Sequence, residues 1–503
     1  MSMSAAFDGE RLMTFGQCLR HILKEKNLSA SALSRMMENK SRNSLFRILD
    51  DTSSPAAQEA FCEKLIRGNW LDLSTEQCQM LQRSLEISRV GIAGYRSNQA
   101  MRSMLSNVST ARCDHSIMLD VVSRGERIAF DQQLAIYANA RSVSVTITGC
   151  CERNLLFTLA DGLLRGQNSE RVRITHYLCT DGDEIIRGVS AIQPLLYSCS
   201  YDVFCITPGT FSPEREQVYR SNSIVILWED QQGILHRHLI SMVDRDVLML
   251  IDNGCHQGME LIARLMQADQ KYMYPLKSTF VLSHSPQDYL AYTAAFDDLE
   301  HNRAIYTIKP DMCITFISPE ILRQPVMEGF VQTGFTSTEE LPPLIDAFAD
   351  IHRRRFDNLY TKKKPTHAIF SAEAMERFAR TGMQSDHFFA IRPYSPQERV
   401  LMLRHIRSHA EENPFFNIYF FKESFDPPKS EIGLYEGIGT LMLQPYTHYD
   451  LAAGHAEVLI TQREFCQKYK EFFVRDLLER QVLPKEKTLG LLDHLIDIAQ
   501  SDA

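Results

Sequence analysis

The sequence predicts a multidomain chain, with an all-α N-terminal domain followed by a large α/β region. Three observations carry this. The first ninety residues read as short amphipathic helices separated by capping residues. From residue 142 onward, alternating apolar segments take turns with helical ones. The length, 503 residues, leaves room for about three domains. A composition of 44% hydrophobic and 23% charged residues excludes disorder, collagen-like repeats and a disulfide mini-protein as descriptions of the whole. No charge-free window nears the ~18 apolar residues of a membrane span. The opening MSMSAAFDGERLM lacks a basic segment followed by an apolar one, so it is not read as a secretory signal. Twelve cysteines without CxxC spacing, two of them adjacent (Cys150, Cys151), read as reduced thiols of a cytoplasmic protein.

The N-terminal elements follow in order. Phe15, Leu19, Ile22 and Leu23 recur at helical spacing, and Asn27-Leu28 end that helix. Ser29 caps a second helix whose apolar face is Leu33, Met36 and Met37. After the polar turn Glu38-Asn39-Lys40, Ser41 caps a third helix with Leu45, Ile48 and Leu49 inward. Pro55 opens a fourth, which Gly68 stops. Ser74 opens a fifth with a capping-box pattern, and Gly91 ends it. Residues 1–100 carry a net charge of +2 and the rest of the chain −11. A basic head on an acidic body points to an anionic partner for the head.

Phe15-Gly16, Leu19-Arg20, Leu28-Ser29, Leu33-Ser34, Ser41, Leu45 and Arg47-Ile48 resemble the lambda-repressor/Cro-like (XRE) helix-turn-helix family over about residues 12–90. The chain departs from that pattern at Ala30, where the family often has Gln, and in a turn that lacks Gly and is one residue longer. The resemblance implies that the third helix enters the major groove of double-stranded operator DNA. Arg42, Asn43, Ser44 and Arg47 would then meet base edges, and Ser29, Lys40 and Ser41 the phosphates. Regulators of this kind usually bind as homodimers.

Residues 97–140 read as helical and connecting. Strands follow at 142–150, 171–179 and 201–206, with helices between them, the later one interrupted by Pro194. SIVILWED, ILHRHLISMV and DVLMLID are three further strands, and residues 255–270 return to helix. A similar order recurs later: THAIFSAEAMERFARTG parallels VTITGCCERNLLFTLADG, and EIGLYEGIGTLMLQPY parallels SIVILWEDQQGILHRHL. The α/β region is therefore read as two copies of one unit. The expected divisions are a DNA-binding domain (1–95), a helical connector or dimerisation element (96–140), a first α/β unit (141–275), a helical or irregular connector (276–364) and a second α/β unit (365–503).

This duplicated order resembles the phospholipase D-like fold. The active family carries HxKx4D in each half, in which His attacks phosphorus and Lys helps hold the phosphate. Here the nearest run begins Arg237-His238-Leu239 and ends at Asp244, so only the Asp position matches. Counting from His236 puts that Asp one residue too far. In the second half His448 lacks both the Lys and the Asp. The motif reads as degenerate, which makes Arg237, His238, Asp244 and His448 candidate ligand-binding residues and leaves no catalytic residue. His236 and His238 share one side of a strand, but no third ligand accompanies them, so no metal or cofactor is expected. Arg353-Arg354-Arg355 and Lys362-Lys363-Lys364 read as solvated basic runs.

The expectation is a transcriptional regulator and not an enzyme. Its head binds operator DNA, and its body senses a small-molecule or peptide effector or mediates dimerisation. The alternatives are a phospholipase D-like phosphodiesterase or nuclease fused to a DNA-binding head, and a protein-interaction scaffold.

Overall fold

The structure is a computed structural model. It describes residues 12–37, 42–106, 117–149, 153–164, 171–179, 184–196, 200–244, 247–252, 256–281, 286–333, 341–384, 392–425, 428, 430–437, 440–445 and 456–501. The chain forms two compact units, Met1–Ala100 and Met101–Ala503.

The described part of the first unit is helical. α1 (Phe15–Glu25) is opened by Thr14, whose side chain accepts from Gln17 N while Gln17 answers with a reciprocal bond, a capping box. α2 (Ala30–Met36) is capped by Ser29. α3 (Arg42–Leu49) buries Leu45, Ile48 and Leu49 against Phe15, Leu19 and Leu33. Met36, expected to face inward, is exposed. α4 (Pro55–Gly68) has its expected span, but the left-handed cap is Asn69, at φ +45°, and not Gly68. α5 (Thr75–Ser106) does not stop at Gly91. The chain kinks there at φ +77° and the helix resumes. Gly16 is needed for close approach, because a Cβ there would overlap the Leu49 carbonyl oxygen of α3. Asp51, held at φ +54°, accepts from Gly16 N at 2.8 Å and joins the same two helices.

The second unit starts with a hairpin that the connector reading missed. β1 (Met118–Val121) and β2 (Glu126–Ala129) pair antiparallel, with Gly125 at φ +62° in the turn, and α6 (Phe130–Ala138) follows. The next strands and helices are β3 (Ser142–Thr148), α7 (Arg153–Leu164), β4 (Val172–Cys179), α8 (Glu184–Leu196), β5 (Tyr201–Ile206) and α9 (Pro213–Tyr219). α8 runs on through Pro194 instead of breaking there. Then come β6 (Ser223–Glu229), β7 (Leu235–Asp244), β8 (Val247–Asp252), α10 (His256–Asp269) and the short β9 (Tyr274–Pro275). Residues 276–364, expected as connector, hold β10 (Lys277–Val281), α11 (Pro286–Glu300), β11 (Ile305–Lys309), α12 (Pro319–Thr333) and α13 (Leu341–Thr361). The chain continues through β12 (Thr366–Phe370), α14 (Ala372–Thr381), α15 (Pro396–Glu412), β13 (Phe416–Phe420), β14 (Ser430–Tyr435), β15 (Thr440–Pro445), β16 (Ala456–Ile460), α16 (Arg463–Phe472) and α17 (Lys485–Ser501).

Two mixed sheets result. Their orders are β2-β1-β8-β7-β6-β3-β4-β5-β9 and β10-β16-β15-β14-β11-β12-β13. Within them, β8-β7-β6-β3-β4-β5 and β16-β15-β14-β11-β12-β13 share one plan. Three parallel strands joined through helices adjoin three antiparallel ones. The correspondence begins at β11, so Thr366–Phe370 matches β4 and not β3, as the sequence pattern had suggested. β11 is buried along its whole length, and its unbroken burial leaves no period-two alternation to read.

Candidate functional site

The residues with the most chemistry gather on the β6–β7 hairpin. Its turn is built by Asp230, whose Oδ1 accepts from the backbone N–H groups of Gln232 and Ile234, both at 2.9 Å. Gly233, at φ +82°, completes the reversal and donates to Asp230 O. The other carboxylate oxygen, Oδ2, lies 2.8 Å from His236 Nε2. One aspartate therefore shapes the turn and orients an imidazole. Its carboxyl is held below the usual range, first by the His236 hydrogen bond and then by the Ile234 N–H. With Asp230 ionised, Nε2 is the donor, which leaves the lone pair of His236 on Nδ1.

His236 stands directly across from Trp228 and stacks on it, with ring centroids 4.9 Å apart and planes at 19°. His238, two residues on, shares that face and lies 4.3 Å from the same indole. Its Nδ1 is 2.6 Å from Tyr137 Oη and 3.4 Å from Gln133 Nε2, both on α6. Burial pushes the Tyr137 phenol up, so its O–H remains a donor toward Nδ1 and the His238 ring proton sits on Nε2. His236 is partly exposed, whereas His238 is buried. The pair thus sets one partly exposed imidazole, oriented by Asp230, beside one buried imidazole held by Tyr137 and Gln133.

The candidate residues from the sequence divide around this cluster. His238 is in it. Arg237 alternates to the opposite face of β7, against the sequence grouping of the two. Asp244 ends β7 beyond a register shift between Met242 and Asp244, and its side chain lies outside the described residues. His448 also lies outside them. The corresponding strand of the second half, β15, contains no histidine. His236 was noted beside His238 on the strand but not kept as a candidate, and Asp230, Trp228 and Tyr137 were missed. The signal available was an H-x-H on a strand preceded six residues earlier by an Asp in a Gly-containing turn.

In the first unit, Ser29 accepts from Ala32 N at 3.1 Å as the α2 cap. Asn43, Ser44 and Arg47 are exposed on α3. Arg42 opens that helix, with its side chain outside the described residues, as are Lys40 and Ser41. No group of three metal-ligating side chains occurs among the described residues.

The second half holds a buried charge network at the end of β11. Lys309 pairs with Glu431 and lies 3.4 Å from Cys313 Sγ. Arg355 grips Glu300 through two bonds of 2.8 Å and reaches Thr315 at 3.0 Å. Burial alone would raise the Glu300 carboxyl, yet Arg355, Lys309 and Lys362 together hold it below the usual range. Lys362, lowered by burial to about 8, belongs to the same neighbourhood. The basic runs are therefore not simply solvated. Arg353 and Arg354 pair with Glu320 and Asp297, and Arg355 and Lys362 are buried.

No family model matches the chain, and no curated protein does. Neither comparison shows a lambda-repressor-type domain. Among solved structures the chain is similar to a phosphatidylserine synthase from Haemophilus influenzae. The match covers 81% of this chain and 98% of that one, at 10% identity and a TM-score of 0.24. The expectation that the chain is not an enzyme is withdrawn on this finding, because the neighbour is one. No described helix is long and apolar enough to cross a membrane.

Proposed function

We propose that the chain acts on phosphodiesters through the His236–His238 pair, with the N-terminal helices serving as a DNA-contacting head. The observation that carries the reading is the Asp230–His236 contact of 2.8 Å, with His238 beside it on the same indole. In this reading His236 Nδ1 takes a proton from water as the water oxygen bonds to phosphorus. His238 Nε2–H donates to a phosphoryl oxygen and stabilises the charge that gathers there. The P–O bond to the leaving oxygen then breaks, and the imidazolium returns its proton to that oxygen. Neither step calls on a metal.

The test is hydrolysis of bis(p-nitrophenyl) phosphate and of a labelled duplex in EDTA. His236→Ala is expected to lower the rate by about a hundredfold or more, the usual scale of a general base. Absence of hydrolysis by the wild-type chain, or an unchanged rate in the variant, contradicts the reading.

A second reading, a DNA-binding regulator, is favoured by the exposure of Asn43 and Arg47 on α3. It predicts sequence-selective, salt-dependent duplex binding that Arg47→Ala weakens, without any cleavage. Under it, dimerisation and an effector for the body remain part of the proposal.

A further inference from the structure

The second half holds a triangle of rings that the proposed phosphodiester chemistry does not use. Tyr360, at the end of α13, lies 4.6 Å from His405 and 4.4 Å from His409 between ring centroids, and the two imidazoles lie 4.5 Å from each other. His405 and His409 stand four residues apart on α15, so they share one face, with Cβ atoms ~5–6 Å apart. They flank the buried stripe Met402, Leu403, Ile406 and Ala410. Asn413, just past the helix, donates to the Tyr360 carbonyl at 2.8 Å and ties that end of α15 to α13. Phe356 stacks on His405 at 5.0 Å and 23°, and Phe416 lies 4.7 Å from Tyr360, so neighbouring rings brace the triangle.

Two polar atoms of this triangle, His405 Nε2 and Tyr360 Oη, are buried without a hydrogen-bond partner. Buried polar atoms are nearly always paired, and an exception points to a water or an ion that completes it. Burial lowers His405 to about 4, and it lowers His409 as well. Both rings are therefore neutral at pH 7 and keep a lone pair, the form that binds a metal. Glu320 acts on His405, and Glu412 on His409, in the direction that favours positive charge. Both imidazoles are only partly buried, which leaves the pair reachable from solvent.

We infer that His405 and His409 form a binding site for a first-row divalent cation such as Cu²⁺ or Zn²⁺. Two imidazoles one helical turn apart can close on a single ion. At ~2.0–2.1 Å per metal–nitrogen bond their centroids come about 4.5–5 Å apart, which the observed spacing meets. Cu²⁺ is the tightest binder of the series for nitrogen donors. No carboxylate or thiol completes a set of three among the described residues, so water fills the remaining positions. The site is separate from the His236–His238 pair and stands whether or not that reading holds.

The test is isothermal titration of the full, tag-free chain with Cu²⁺, with electron paramagnetic resonance of the first equivalent bound. The wild type should take up one Cu²⁺ with a micromolar Kd and show two nitrogen ligands. His405→Ala and His409→Ala should each abolish that equivalent, with circular dichroism confirming that the variants are folded. His409 touches fewer core rings, so its variant keeps the test open if His405→Ala disturbs the packing. Excess Zn²⁺ should raise the melting temperature of the wild type and not that of His409→Ala, because an ion that binds only the folded chain stabilises it. The bound copper should survive His21→Ala and His236→Ala, which remove histidines elsewhere. No uptake, uptake unchanged in His409→Ala, or loss caused instead by His21→Ala or His236→Ala would overturn the inference. No uptake would also leave water as the partner of the two buried atoms.

Discussion

Asp230 concentrates the account at the scale of one residue. Its two oxygens build the turn and hold His236, tasks that the sequence shows only as an Asp near a Gly. The buried ion pairs make a sharper prediction about stability. Glu300→Ala leaves the Arg355 guanidinium buried without its partner, and should cost about 3–5 kcal/mol. The measurement is the urea midpoint of the body. Replacing both residues with apolar ones should recover most of the loss, since removing an entire pair costs less than stranding half of it. His176 and His352, both fully buried, contribute to the pH dependence. Burial lowers each to about 4 against an ordinary value near 6.5. In that window the unfolded chain binds more protons than the folded one, so stability is complete above about 6.5 and falls as the pH drops toward 4. Thermal melts at pH 7 and pH 5 should show the loss, and His176→Gln should lessen it relative to wild type if its own fold is intact.

At the scale of elements, strands with two-sided alternation and helices with capping residues were legible. α4 matches its expected span, and β5 its expected six residues. β11 was hidden by complete burial, and the β1–β2 hairpin by its shortness, four residues per strand. The functional grouping was legible only in part. Alternation along β7 placed His236 and His238 together, but the Tyr137 and Asp230 contacts come from other elements that spacing within one strand does not report. In the first unit, the α1–α3 contact depends on Gly16. Gly16→Ala would force the helices apart and should cost about 1–3 kcal/mol, as overpacking typically does. A lowered melting temperature of residues 12–90, followed by helical circular dichroism, checks this. An unchanged melt would mean that α1 and α3 do not approach as described.

At the scale of the whole molecule, one strand plan occurs twice, yet among the described residues only one copy carries the strand histidine pair. β7 carries two histidines, and its counterpart β15 none. The second half holds buried ion pairs, Arg355–Glu300 among them, near the carboxyl end of β11, the opposite end from its β14–β15 turn. Duplication of a fold thus need not duplicate its site, because the strand plan depends on backbone pairing and burial while the site depends on a few side chains. Charge follows the same division of roles, with a net of +2 over residues 1–100 and −11 over the remainder. An acidic body gives no general attraction to nucleic acid, so in the proposed reading any contact with DNA would fall to the head.

The most direct measurement of the central claim compares wild type with Asp230→Asn in metal-free hydrolysis of bis(p-nitrophenyl) phosphate. Asparagine keeps the oxygen that builds the turn but removes the charge that fixes the His236 tautomer. The account predicts a clear fall in kcat, with KM and the circular dichroism spectrum preserved. Equal rates in the two proteins, or no hydrolysis by either, would contradict it.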